Sequence, residues 1–195
     1  MNICVYCASS ETIDKSYIKA GEELGKRLAE EGHTLVFGAG KYGLMGAVAR
    51  GIRQNGGEAV GIIPKFFDNV DVTFWDCEII KTDTMRERKH IMEDISDGFI
   101  MMPGGVGTLE EYFEIITLKQ LGRHKKPIAV YDVNGYYHKL FEFLQYSVDE
   151  GFMSKEVASL CFYSSDIDKV FEYLKNPDTH SYNKYNFLEE KDGKD

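Results

Sequence analysis

The sequence predicts an α/β fold: a Rossmann-like, doubly wound parallel sheet with helices on both faces. Three observations carry that expectation. Short apolar runs alternate with helix-length amphipathic segments through most of the chain. The apolar runs are near-continuous instead of alternating with polar residues, which is how strands buried on both faces read. Glycine-rich turns join some of these runs to the segments that follow, at the strand ends where ligands of such sheets bind. A chain of 195 residues favours one domain. It is expected to span 1–175, with a polar tail over 176–195 that frays.

The elements follow in order. Asn2–Cys7 reads as a buried strand. Lys15–Glu31 carries Ile18, Leu24 and Leu28 at helical spacing, with the small residues Gly21 and Gly25 between them. Thr34–Phe37 is a second strand, and Gly43–Asn55 a second helix through Leu44, Ala47, Val48 and Ile52. Asn55-Gly56-Gly57 ends it, because asparagine and glycine adopt the left-handed cap at little cost. Ala59–Ile63 is a strand stopped by Pro64. Lys65–Trp75 mixes aromatics and aspartates without a period and is expected to be a loop with a short turn. The order then resumes: strand Glu78–Lys81, helix Thr84–Ile95, strand Gly98–Met102 and helix Thr108–Leu121. Strand Ile128–Tyr131, helix Tyr136–Asp149, strand Leu160–Tyr163 and helix Ile167–Leu174 complete it.

Composition narrows the function classes. Hydrophobic residues at 43% and charged residues at 28% exclude wholesale disorder. The 23 Lys and Arg against 32 Asp and Glu leave a net charge of −9, which disfavours nucleic acid as a partner. A small anionic ligand is still accommodated by a few local cations and helix N-termini. The start, MNICVYCASSE, does not read as a signal peptide, and no run approaches the roughly 18 apolar residues of a membrane span. Four cysteines are too sparse for a disulfide framework. The expectation is a soluble, cytoplasmic protein.

Four segments could carry chemistry. Cys4-Val5-Tyr6-Cys7 spells C-x-x-C, but residues three apart on a strand face opposite sides, so buried structural thiols are expected. Gly38-Ala39-Gly40-Lys41-Tyr42-Gly43 spells the dinucleotide fingerprint G-x-G-x-x-G, yet it follows the second strand, and Glu58 comes early for the acidic partner expected about twenty positions on. Exposed backbone for a smaller nucleotide is the preferred reading. Met85-Arg86-Glu87-Arg88-Lys89 places cations at a helix start, against the helix dipole, which calls for an anion or a carboxylate nearby. Finally, Pro103-Gly104-Gly105-Val106-Gly107-Thr108-Leu109-Glu110-Glu111 follows a buried strand with three glycines and a helix start. Bare amides, a helix N-terminus and a hydroxyl form a phosphate cradle. The same residues also spell a capping box, with Thr108 as N-cap and Glu111 three residues on, so capping and catalysis both stand open for Glu111. The five histidines show no metal-ligand spacing.

These motifs resemble those of the Lonely Guy (LOG) family, the cytokinin riboside 5′-monophosphate phosphoribohydrolases. Pro103 to Glu111 matches the family's P-G-G-x-G-T-x-x-E, and Met85-x-x-Arg88-Lys89 matches M-x-x-R-K. Cys7-Ala8-Ser9-Ser10 resembles the first-strand turn C-x-S-S, and Gly38 to Gly46 resembles G-G-G-x-x-G-L-M-G. The likeness runs over roughly residues 2 to 165, with Ala39 standing where the family usually has glycine and Arg86 where it commonly has histidine. The resemblance implies a homodimer that hydrolyses the N-glycosidic bond of a purine nucleoside 5′-monophosphate, with no metal or organic cofactor. It assigns the catalytic pair to Arg88 and Glu111. Substrate binding falls to Ser9, Gly40, Met85, Arg88, Lys89, Gly104, Gly105, Val106, Gly107, Thr108, Glu111 and Thr117. An older label for such sequences, lysine decarboxylase, would need a pyridoxal-phosphate lysine and its supporting site, for which the sequence offers no evidence.

Local chemistry agrees with hydrolysis. A glycosidic bond breaks through an oxocarbenium-like state, which a nearby carboxylate stabilises while activating water. A purine can leave after protonation on its own ring, so a second carboxylate is not obligatory. A non-catalytic nucleotide- or cofactor-carrying module on the same fold is the competing class.

Overall fold

A computed structural model of the chain describes residues 1–67 and 70–177. Its elements are β1 (Asn2–Tyr6), α1 (Lys15–Glu30), β2 (Thr34–Phe37), α2 (Gly43–Gln54), β3 (Ala59–Pro64), β4 (Glu78–Thr82) and α3 (Met85–Ile95). β5 (Gly98–Met101), α4 (Val106–Gln120), β6 (Ile128–Tyr131), α5 (His138–Asp149), β7 (Phe162–Ser164) and α6 (Ile167–Lys175) follow. The strands form one seven-stranded sheet in the order β4-β3-β2-β1-β5-β6-β7, parallel throughout. This is the doubly wound architecture expected from the alternating pattern.

The period-2 geometry of the strands sorts their side chains into two apolar layers. Ile3, Val5, Leu35, Phe37 and Ile100 pack against Leu24 and Leu28 of α1, Val48 and Ile52 of α2, and Phe171 of α6. On the other face Cys4, Tyr6, Val36, Phe99 and Met101 pack against Met92 of α3 and Tyr112, Ile115 and Ile116 of α4. Cys4 and Cys7 lie in opposite layers and are free thiols, as the strand argument required. Burial pushes the Cys4 thiol up to about 12 and raises that of Cys7 as well, so both stay protonated. The glycines of α1 and α2 let those helices meet backbone to backbone: a Cβ on Gly25 would stand 2.2 Å from the Val48 carbonyl oxygen.

Several boundaries differ from the sequence expectation. The largest change is at α4, which starts at Val106 with Gly105 as its N-cap, so Thr108 is its third residue and no capping box forms there. Gly105 enters the helix from an extended conformation, and the Thr108 side chain occupies the space left by the missing Cβ of Gly104. A related cap is built at α3 instead, its return bond falling on the residue before the N-cap Thr84. Thr84 Oγ1 accepts from Glu87 N at 3.1 Å, and Glu87 Oε2 accepts from Asp83 N at 2.7 Å. The helix expected from Tyr136 begins at His138, because a 3-10 turn with Asn134 at φ 59° precedes it. The last strand is Phe162–Ser164, since Lys155–Leu160 forms a 3-10 turn. Of Lys65–Trp75, the described residues form a short turn at Lys65–Phe67 and, over 70–75, a loop, as expected for them. From 178 onward the expected tail lies outside the described residues.

Candidate active site

The chain leaves β1 toward β2 and leaves β5 toward β6, in opposite directions, so a crevice opens beyond the carboxyl ends of these two central strands. Backbone bonds join the loops that leave them: Ala8 N donates to Pro103 O at 3.1 Å, and Met102 N to Tyr6 O at 2.9 Å. The hydroxyls of Tyr136 and Tyr137 brace the glycine loop, donating to Gly104 O at 3.0 Å and Met102 O at 2.8 Å. On the opposite side, Lys41 N donates to Val72 O and Phe74 N to Ala39 O, each at 2.8 Å, which draws the segment after β3 over the Gly38–Gly40 turn.

The cleft so formed has a volume of about 580 Å³. Of the residues expected at a substrate site, Ser9, Gly40, Met85, Arg88, Gly105, Gly107, Thr108 and Glu111 line it. Gly104, Val106 and Lys89 are not among its lining: Gly104 lies behind Thr108, Val106 is 84% exposed, and Lys89 turns to Glu110 and Glu114. Thr117 is not brought to this cleft. It lines a second cavity between α4, α5 and the turn before β7, whose described lining shares no residue with the first. Sequence reasoning had not singled out the apolar wall, made by Tyr42, Met45, Ile63, Pro64, Phe67 and Val72. The unreadable period of Lys65–Trp75 was its one signal: Phe67 and Val72 project from that segment.

Arg88 and Glu111 meet in the cleft, each only 8% exposed, with Arg88 Nη1 3.3 Å from Glu111 Oε1. Arg88 is held by a second bond, Nε donating to Ile62 O at 3.1 Å. Gly38 makes room for it, since a Cβ there would stand 1.9 Å from Arg88 Nη2. Burial raises the Glu111 carboxyl above the ordinary glutamate value, and the Arg88 guanidinium opposes that rise. The cations that opened α3 against its dipole thus face the carboxylates of α4, Arg88 with Glu111 and Lys89 with Glu110 and Glu114.

Two helix N-termini border the same space without a side-chain cap: α2, whose N-cap is Tyr42, and α4, whose N-cap is Gly105. An uncapped first turn offers backbone N–H groups and the positive end of the helix dipole to an anion. Glu111 lies one turn further along α4 than Gly107 and Thr108, which line the cleft with it. An anionic group at the helix start therefore leaves the adjoining part of a ligand beside the carboxylate. Ala39 sits between these features with φ 58°, a left-handed conformation that costs a non-glycine residue roughly 1–2 kcal/mol. Its departure from glycine is accommodated by Gly61, where a Cβ would come within 2.8 Å of the Ala39 methyl.

Residues 45–174 match the family model described as "Possible lysine decarboxylase". The chain is 43% identical over 155 residues to the cytokinin riboside 5′-monophosphate phosphoribohydrolase LOG of Oryza sativa subsp. japonica, a match covering 79% of this chain and 64% of that protein. It is 37% identical over 174 residues to the cytokinin riboside 5′-monophosphate phosphoribohydrolase LOG2 of Arabidopsis thaliana, covering 89% of this chain and 82% of that one. Among solved structures, the molybdenum cofactor binding protein from Rippkaea orientalis superposes with a TM-score of 0.68 at 22% identity, over 89% of this chain and 94% of the other. The molybdenum cofactor carrier protein from Chlamydomonas reinhardtii gives a TM-score of 0.67 at 20% identity, over 89% and 95%. At that identity the likeness concerns the fold alone.

Proposed function

The chain belongs to the Lonely Guy family, and we propose that its cleft hydrolyses the N-glycosidic bond of a purine nucleoside 5′-monophosphate, giving the free base and ribose 5-phosphate. The substrate class is adenosine monophosphate or its N6-modified cytokinin form. The observation that carries the proposal is the buried Arg88–Glu111 pair standing beside the uncapped start of α4. In this reading the 5′-phosphate sits on the amides at Gly105, Gly107 and Thr108, with Ser9 across from them on the loop after β1. The ribose then lies along α4 toward Glu111. The purine rests on the wall made by Tyr42, Met45, Phe67 and Val72.

The reaction follows from those positions. As the bond between C1′ and the ring nitrogen lengthens, positive charge develops on the ribose, and the Glu111 carboxylate stabilises it. Glu111 accepts a proton from water as the water oxygen bonds to C1′. The bond electrons leave with the purine, which takes up a proton on its ring from solvent, and Glu111 returns its proton to solvent after the products leave. Arg88 holds the carboxylate as its ion-pair partner and offers remaining N–H groups to the phosphate side. No metal or organic cofactor takes part in this scheme. The chain is further proposed to act as a homodimer and, its four thiols being free, to reside in the cytoplasm. Among the described residues no helix is long and apolar enough to cross a membrane.

Base release tests the proposal. Adenosine monophosphate, an N6-prenylated analogue and adenosine are incubated with the protein and the free base is measured by chromatography. Release from the monophosphates with adenosine a very poor substrate is the expected outcome, and the two monophosphates rank the natural base. Equal kcat/KM for adenosine and its monophosphate would remove the phosphate from the α4 start. Nucleotide that binds and stays intact would make the chain a carrier.

A further inference from the structure

Lys89 follows Arg88 on α3, and Glu110 and Glu114 flank Glu111 on α4. The Lys89 ammonium bonds to Glu110 and stands 2.8 Å from Glu114 Oε2. Its side chain is 16% exposed, whereas the two carboxylates are 53% and 43% exposed. One half-hidden cation therefore ties together the two helices that carry the Arg88–Glu111 pair, one residue away from each member. Glu110 and Glu114 are four apart on a helix, an arrangement of like charges that disfavours the helix unless a cation lies between them. Lys89 is that cation, and it contributes nothing to the described lining of the cleft.

We propose that Lys89 is a positioning residue: it clamps α3 to α4 and so keeps Arg88 and Glu111 in register, without touching the substrate. The proposal rests on the hydrolase reading of the cleft. Its electrostatic consequence follows from the groups facing Glu111. Arg88 and Lys89 of α3 supply positive charge that favours the carboxylate, while Glu110 and Glu114 of its own helix oppose it. Cys4 and Tyr6 of β1 and Cys7 beyond it face Glu111 as neutral groups, since burial raises all three. Removing the Lys89 charge leaves three carboxylates within five residues of α4 facing Arg88 alone, which makes Glu111 harder to ionise.

Lys89→Met and Lys89→Arg are compared with the wild type for base release from adenosine monophosphate across acidic and neutral pH. Lys89→Met should lower kcat by roughly 10- to 100-fold, the scale of an ångström-sized misplacement, with KM little changed. The acid limb of its kcat/KM profile should move to higher pH. Lys89→Arg should restore most of both, because a guanidinium spans two carboxylates. A raised KM with unchanged kcat would overturn the proposal and make Lys89 a substrate contact, and so would a variant identical to the wild type. If Lys89→Met fails to fold, Glu110→Gln with Glu114→Gln breaks the same clamp from the other side and should show the same loss of kcat; unchanged kcat would overturn the proposal. A carbon-detected NMR titration of the Glu111 carboxyl reads the coupling without turnover. A higher midpoint in Lys89→Met is expected even if adenosine monophosphate is not cleaved, and an unchanged midpoint overturns the clamp while leaving the hydrolase reading intact.

Discussion

Gly38 tests the proposed Arg88–Glu111 catalytic pair without altering either member. Its backbone lies outside the left-handed region, so alanine is conformationally acceptable there, yet the new methyl would stand 1.9 Å from Arg88 Nη2. The guanidinium must swing away, leaving both its bond to Ile62 O and its place beside Glu111. Gly38→Ala is therefore expected to give a folded protein, judged by circular dichroism, whose kcat/KM has dropped by about 100-fold. Wild-type activity in that variant would show that the position of Arg88 is immaterial. Much at this scale was legible in the sequence. A cation cluster opening a helix against its dipole called for a carboxylate, and three carboxylates on α4 answer it. What could not be read was the role of Glu111, because a capping box and a catalytic carboxylate share the spelling T-x-x-E. The capping reading depended on whether Gly105 or Thr108 begins the helix, a matter of glycines whose backbone is free to adopt many conformations. With Thr108 two residues inside α4, Thr108→Ala removes no helix cap.

Elements with a strong period were found nearly residue by residue, α1 at Lys15–Glu30 and β2 at Thr34–Phe37 among them. Boundaries slipped where local bonding outside helix and sheet decides the geometry, as at the 3-10 turns preceding α5 and β7. Helix α4 is apolar over more than one stripe: Tyr112, Ile115 and Ile116 are buried against the sheet while Phe113 is 36% exposed. Beside it, α5 carries no fully buried residue, and Phe143, Tyr146 and nearby Phe152 are exposed. Neighbouring helices that leave aromatic side chains in solvent are better explained by a partner than by their own sheet. A homodimer joined over α4 and α5 should scatter light as a particle of about 44 kDa, twice the 22.2 kDa chain. A mass of one chain across micromolar concentrations would remove the dimer.

At the scale of the whole molecule, strand order explains why distant segments share one cleft. β1 sits between β2 and β5, so the turn after β1, the Gly38–Gly40 turn after β2 and the glycine loop after β5 open on the same crevice. The alternation of strands and helices announced this geometry, but not the wall from Phe67 and Val72, since a segment without period has no face to assign. Against the net charge of −9, the cleft sets Arg88, paired with Glu111, and the uncapped starts of α2 and α4. The proposed hydrolysis requires the negative charge of Glu111. Glutamine keeps the shape of that side chain and an oxygen for Arg88, so Glu111→Gln should fold, but an amide neither stabilises an oxocarbenium ion well nor activates water. Measured as adenine release from adenosine monophosphate, alongside a melting curve, its turnover should fall by about two orders of magnitude or more while a cooperative melting transition persists. A folded Glu111→Gln protein that turns over as fast as the wild type would remove Glu111 from the reaction.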